Sequence, residues 1–554
     1  MLFDILYRNV RIHTQDPRRP IVGALGVHHG RIISLDEEID AAQFREVVDL
    51  RGATVLPGFN DAHCHLSMVG LAELQVDLSP DAVSDTGELL AAVGHACKAA
   101  EPGAWVIGTG YDQNRLGGQH PTAEQLDAVT GDHPVWLHHK SRHLGVANTE
   151  AFRRAGYPQR RDVPVPEGGG IPLDGEGRAQ GVLLETARAA VMDHIPAPTV
   201  EDIADAVAAG SRSAVARGVT SITEPGLGAP EHIGQSTYDI AGYQRARDQG
   251  RLRVRATVMP YLTRLHPIGL PEAEEGPQGI GLDLGIRTGL GDERLRIGAT
   301  KILSDGSLIG RSAYMCCDYA VGSGDDSSPR GMLQFSSQTL RERLIGAHRA
   351  GWQVAAHAIG DAALDTVLEI FAEAQRLHPR EDPRHRVEHV CMASDEQLSR
   401  MQELGLIPVP QGRFVHELGD GAREAVGQER AHLTYRLKGL FDAGLPVAAS
   451  TDAPVVALDP MLNVHDMVNR VTHSGEVFSP QERITLEQAL RAYTVGSAYA
   501  SHEEHIKGRL SHGMLADFVV LSEDPHEVAS ARLKEIVPTS TVVGGVPVWG
   551  ELCG

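Results

Sequence analysis

Between about residue 50 and residue 500, short apolar runs alternate with stretches whose apolar positions recur at helical spacing. Eight of the runs read as buried strands: 53–62, 218–223, 252–259, 296–303, 353–358, 385–390, 405–410 and 446–451. Helical patterns such as 338–348 and 361–371 separate them. Such alternation predicts a βα architecture, and eight units favour an α/β fold of the closed (β/α)8 TIM-barrel type over an open doubly wound sheet.

The two ends follow a different rhythm. Residues 1–56 and 505–554 alternate with period two, as in Val10-Arg11-Ile12-His13-Thr14 and Phe518-Val519-Val520-Leu521, broken by turns such as His29-Gly30. Neither end holds enough strands for its own sandwich. The expectation is one small β-sandwich domain built from both termini, with a large domain, 57–504, inserted between them. The first two barrel strands are too far apart for one crossover, so about 67–205 is expected to be an insertion with its own structure. A Gly-, Pro- and Glu-rich connection, 263–292, follows the third strand and is expected to overhang the C-terminal face as a lid.

Composition narrows the classes. At 554 residues, 42% hydrophobic and 22% charged, the chain is an ordinary globular protein with more than one core. A net charge of −22 argues against a nucleic-acid partner, whose phosphates need a basic surface. No apolar run approaches the roughly 18 residues of a membrane span. The N-terminus lacks a basic n-region and a cleavage site, and the six cysteines show no paired spacing. A reducing, cytoplasmic location is expected.

The candidate chemistry lies at strand ends. His63-Cys64-His65 closes the first strand, and residues two apart on a strand face the same side. Lys301 lies within the fourth strand, His357 ends the fifth, His389 the sixth and Asp452 the eighth. Each has a plainer reading: His357 as a core imidazole, Asp452 as a helix N-cap, Lys301 paired with Asp305. Glu388 is a rival ligand, but as the neighbour of His389 it is expected on the opposite face. Four histidines, an aspartate and a buried lysine in barrel order favour a joint metal site.

These segments, PGFNDAHCHL, GATKILSDGSL, HAIGDAALD, RVEHV and STDAPV, resemble the amidohydrolase superfamily, and more narrowly amidohydrolase family 3, the YtcJ-like branch that includes N-substituted formamide deformylases. Gly110-Tyr111-Asp112-Gln113, His143 and Val146-Ala147-Asn148 support the match. Cys64 departs from the hydrophobic or small residue usual there and is given a packing role. The resemblance implies two metal ions, usually Zn2+: His63, His65 and Asp452 on one, His357 and His389 on the other, and Lys301, carboxylated on its ε-nitrogen, bridging them. It implies hydrolysis of an amide-like C–N bond, possibly N-formyl or N-acyl, by a metal-activated hydroxide, with Asp452 carrying the proton. Deamination or cyclic-amide hydrolysis on the same centre, or a catalytically silent binding scaffold, are the alternatives. A D-aminoacylase-like enzyme fits less well, because Lys301 stands where that relative tends to have cysteine. The expected partner is a small-molecule substrate, bound by Tyr111, Asp112, His143, Arg311 and Gln411; a homodimer is compatible with a large acidic barrel.

Overall fold

Pro57-Gly58 divides what the sequence presents as one strand. In a computed structural model, Phe44–Pro57 belongs to a sheet of the chain termini, while Phe59–Asp61 turns into a second sheet beside Val219–Leu227. Glycine is required at the division, since a Cβ on Gly58 would lie 2.2 Å from the Thr220 side chain. The structure describes residues 2–36, 38–79, 82–113, 116–139, 144–166, 169–230, 232–268, 280–320 and 329–552, with backbone alone at 169, 185 and 186. It divides into two compact units, Met1–Ser67 with Val200–Gly554, and Met68–Thr199.

The first unit holds two four-stranded parallel sheets. One runs Phe59–Asp61, Val219–Leu227, Arg255–Pro260, Leu295–Ile297. The other runs Thr300–Leu303, Val354–Ala358, Arg386–His389, Ile407–Val409. The expected strand 296–303 is therefore broken at Gly298-Ala299, with its halves in different sheets. Across that break Gly298 N donates to Val258 O at 2.8 Å, and Lys301 bridges Tyr261.

The expected eighth strand, 446–451, forms no ladder. Ala448 N and Ser450 N donate to Pro408 O and Pro410 O at 3.1 and 3.3 Å. The return bond to Ala448 O cannot form, because Pro410 lacks an N–H, and pairing is confined to a single parallel bridge between Gln411 and Ser450. On its other side Ala62 N donates to Ala449 O at 3.1 Å and Asp452 N to His63 O at 2.8 Å. This segment thereby links the ends of the two sheets.

Strands from both termini form one continuous seven-stranded sheet, where the sequence suggested two stacked ones. Tyr7, Leu25, Val55, Phe518 and Val542 fill its core. A buried bidentate pair, Arg255 to Asp517 at 2.6 and 2.9 Å, ties it to the first parallel sheet.

The 263–292 connection does not form the expected lid over its described part. Thr288 Oγ1 accepts from Gln353 N at 3.0 Å, which places this segment at the N-terminal end of Val354–Ala358, opposite His357. With only short 3-10 turns and no α-helix among its described residues, the connection itself returns the chain to the start of the next strand.

The second unit has a six-stranded sheet, with helices Thr86–Ala99 and Ala123–Thr130 and a core that includes Leu89, Tyr111, Leu126 and Leu137. Asn148 caps helix Thr149–Arg154 and braces Val135 N, so this motif residue has a structural role. Among the described residues no helix is long and apolar enough to cross a membrane.

Candidate metal centre

His63 and His65 lie just beyond strand Phe59–Asp61, where the chain bends before helix Leu66–Leu74, and bonds to neighbouring segments hold this turn. Cys64 N donates to Thr223 O at 3.0 Å, and His65 N to Ala453 O at 2.9 Å. Cys64 itself is fully buried and does not line the cavity. His389 ends its strand with φ 72°, and Asp452 has φ 59°, both left-handed conformations uncommon outside glycine. These turns aim the two side chains inward. His63, His65, Lys301, His357, His389 and Asp452 together floor a cavity of about 400 Å³.

The hydrogen bonds fix which nitrogen of each ring is free. Glu388, held bidentately by Arg386 at 2.8 and 3.0 Å, accepts from His63 Nδ1 at 2.5 Å. The His63 Nε2 lone pair is left 3.4 Å from Asp452 Oδ1. Gln411 donates its amide nitrogen to Val409 O at 3.0 Å, so its oxygen accepts from His389 Nδ1 at 3.0 Å. The carbonyl of Gly306 can only accept, so His357 Nε2 donates to it at 3.1 Å. Three rings thus keep one lone pair each, as metal-binding imidazoles do.

Burial fits this state. It holds the His63 and His389 imidazoles well below their usual pKa, with Lys301 adding to the effect at both. Burial would raise the Asp452 carboxyl, but the hydrogen bond with His65 and the charges of His63, His65 and Lys301 outweigh it and lower the pKa. Burial brings the Lys301 amine down to about 8 against the pull of Glu388 and Asp452. Lys301 Nζ, His65 Nδ1 and His357 Nδ1 are buried with no hydrogen-bond partner. Orphaned polar atoms beside a carboxylate and facing lone pairs are what a bound cation would satisfy. The donor set therefore fits a metal. Ligand atoms of His63, His389 and Asp452 lie within 4.8 Å of one another, while His65 Nε2 stands 3.3 Å from Asp452 Oδ1.

Residues 46–549 match the amidohydrolase family. The chain belongs to that family. N-substituted formamide deformylase of Arthrobacter pascens is 28% identical over 98% of this chain and 98% of its own length. The YtcJ protein of Bacillus subtilis is 28% identical over 91% and 90%. The structure of an uncharacterized metal-dependent hydrolase from Pyrococcus horikoshii superposes with a TM-score of 0.76 at 26% identity, covering 95% of this chain and 99% of that one.

The expected substrate-binding residues of this amidohydrolase fare differently from its ligand set. Gln411 is buried behind His389 and holds that ring, so it is a support and not a substrate contact. Arg311 pairs with Glu424 at 3.2 Å and does not line the cavity. Tyr111 is fully buried in the core of the second unit, its hydroxyl sharing a hydrogen bond with His120 Nδ1 at 3.1 Å. Asp112 follows it, half-buried, in that unit. His143 lies outside the described residues.

Glu388 is no rival ligand: it orients His63, and it faces the site because His389 turns away from the strand alternation. Asp305 was missed as a brace. Its Oδ1 accepts from Ile359 N at 3.1 Å and its Oδ2 from Gly360 N at 2.8 Å, which fixes the turn after His357. The following glycine in Asp305-Gly306 was the available signal. A second cluster, His13, Asp524 and His526, lies in the terminal sheet, where Arg11 claims the Asp524 carboxylate at 3.2 Å; it is an ion-pair network.

Proposed function

We propose that this amidohydrolase cleaves an amide-like C–N bond of a small molecule, using divalent metal, zinc first, held by His63, His65, Lys301, His357, His389 and Asp452. The convergence of free imidazole lone pairs, a carboxylate and an unpartnered buried amine at one cavity floor carries the reading. The two parallel sheets, linked through 446–452, support a (β/α)8 barrel across 57–504 as the scaffold. His63, His65 and Asp452 would hold one ion, and His357 and His389 a second.

Lys301 would bridge them as a carbamate. Its neutral nitrogen attacks the carbon of CO2, forms the N–C bond and releases one proton, leaving an anionic oxygen ligand. An unmodified ammonium would repel both ions. When bound, the ions would lower the pKa of a water towards about 7 and polarise the substrate carbonyl. Asp452, whose backbone N–H is held by His63 O, would take the water proton and return it to the leaving nitrogen.

The test is a panel of N-formyl amines, N-acyl amino acids, cyclic amides and ring amines with metal-replete protein. The expected result is amine release from an acyclic amide, lost on chelation and restored by metal. Ring opening or ammonia release from a ring amine would instead place the reaction with cyclic-amide hydrolases or deaminases. No turnover of any class would contradict the proposal.

A further inference from the structure

Residues 313–319 run beside the turn that follows His357 and carry Cys316 and Cys317, the two exposed cysteines among the described residues. A Cβ on Gly360 would lie 2.0 Å from Tyr314 O, so the two stretches meet backbone to backbone. Tyr314 N donates to Asp305 Oδ2 at 2.9 Å, and Cys316 N to Asp361 Oδ1 at 2.8 Å. From the other side, Met315 N and Tyr319 N donate to Arg330 O and Pro329 O at 2.8 and 2.9 Å. The bend at Cys316-Cys317 is therefore held at both flanks.

Adjacent side chains of an extended strand point to opposite faces. Here the bend brings both thiols to one side, with their Sγ atoms 3.2 Å apart. Neither lines the cavity above the candidate ligands. Burial, with Asp361 and Cys317 adding to it, pushes the Cys316 thiol up to about 12, which leaves Cys317 to start any exchange. The Arg330 guanidinium lies near enough to feel the charge of both sulfurs.

We infer that Cys316 and Cys317 form a reversible oxidation site, closed to a vicinal disulfide by small-molecule disulfides. The Cys317 thiolate attacks one sulfur of the oxidant RS–SR, forms a mixed disulfide and expels RS−. Cys316 Sγ then attacks the Cys317 sulfur, its proton leaves to water, and the second RS− departs. Two thiols lose two electrons and two protons, and the oxidant is reduced to two RSH. Adjacent Cα atoms stand about 3.8 Å apart across a trans peptide, below the roughly 4.4–6.8 Å usual for a disulfide. The closed ring is strained and readily reduced, which makes it a reversible modification and not a staple. This thiol chemistry is independent of the reaction proposed on the metal floor.

The test is intact-mass measurement and peptide mapping of folded, full-length protein incubated with excess oxidised glutathione and then alkylated. Wild type is expected to lose two hydrogens per chain, mapped to a bond between Cys316 and Cys317, and to regain them with dithiothreitol. Cys316→Ser is expected to stop at the mixed disulfide, with one glutathione on Cys317. Cys317→Ser is expected to take up glutathione at least about tenfold more slowly, since only the thiol of raised pKa remains. Equal rates in the two variants would overturn Cys317 as the attacking thiol. A glutathione that persists on either wild-type thiol, a bond from either to Cys553 or to a second chain, or two unreacted thiols would overturn the site.

Discussion

Asp452 and His389 occupy left-handed backbone conformations at φ 59° and 72°, and both point into the cavity. Strain of this kind persists only where the surroundings hold it. Here Asp452 N is bonded to His63 O, and His389 Nδ1 to Gln411. Asp452→Asn keeps the shape and loses the proton acceptor. It is expected to lower kcat by at least about 10³-fold while the metal content stays near wild type, measured by steady-state kinetics with elemental analysis.

Glu388 acts one step further out. Glu388→Gln is expected to weaken metal binding about 10- to 100-fold in a competitive chelator titration, since the His63 tautomer is no longer fixed. It also leaves Arg386 buried beside a neutral amide, so stability is expected to fall by about 3 kcal/mol in denaturant melts. The six candidate ligands were legible from their residue types at strand ends. The inward side of Glu388 was not, because strict alternation assumes a strand that continues through His389. The support role of Gln411 was equally hidden, since its partner lies 22 residues away in sequence.

At the scale of elements, the divisions at Gly58 and Gly298 matter most. A Cβ on Gly298 would lie 2.5 Å from the Thr257 methyl. Gly298→Ala is expected to cost about 1–3 kcal/mol by forcing the two strands apart, checked by the urea midpoint at unchanged m-value. The Arg255–Asp517 pair joins the terminal sheet to the parallel sheets, with both side chains under 10% exposed. Asp517→Ala leaves the Arg255 guanidinium buried without its partner and is expected to cost about 3–5 kcal/mol by the same measurement. Apolar runs revealed where strands lie, to within a few residues. They could not reveal which sheet each half of a run would join, because that depends on a Cβ clash with a distant strand. Nor did they show that Pro410 would deny the last segment a ladder.

Across the whole molecule, periodicity and the ligand pattern carried the βα architecture and the family, while the described residues of 263–292 do not form the lid their composition suggested. Gly, Pro and Glu mark an irregular connection but not the end of the barrel it reaches. Thr288 anchors it at the N-terminal end of the strands. The substrate pocket was least legible, because its wall is assembled from side chains contributed by loops and helices far apart in sequence. The central claim is that one cavity floor binds divalent metal. Elemental analysis of purified, folded protein tests it most directly, comparing wild type with a His63→Ala/His65→Ala variant of native circular dichroism. About two divalent ions per wild-type chain are expected, with at least one lost from the variant; wild-type protein that hydrolyses its substrate without stoichiometric metal would contradict the account.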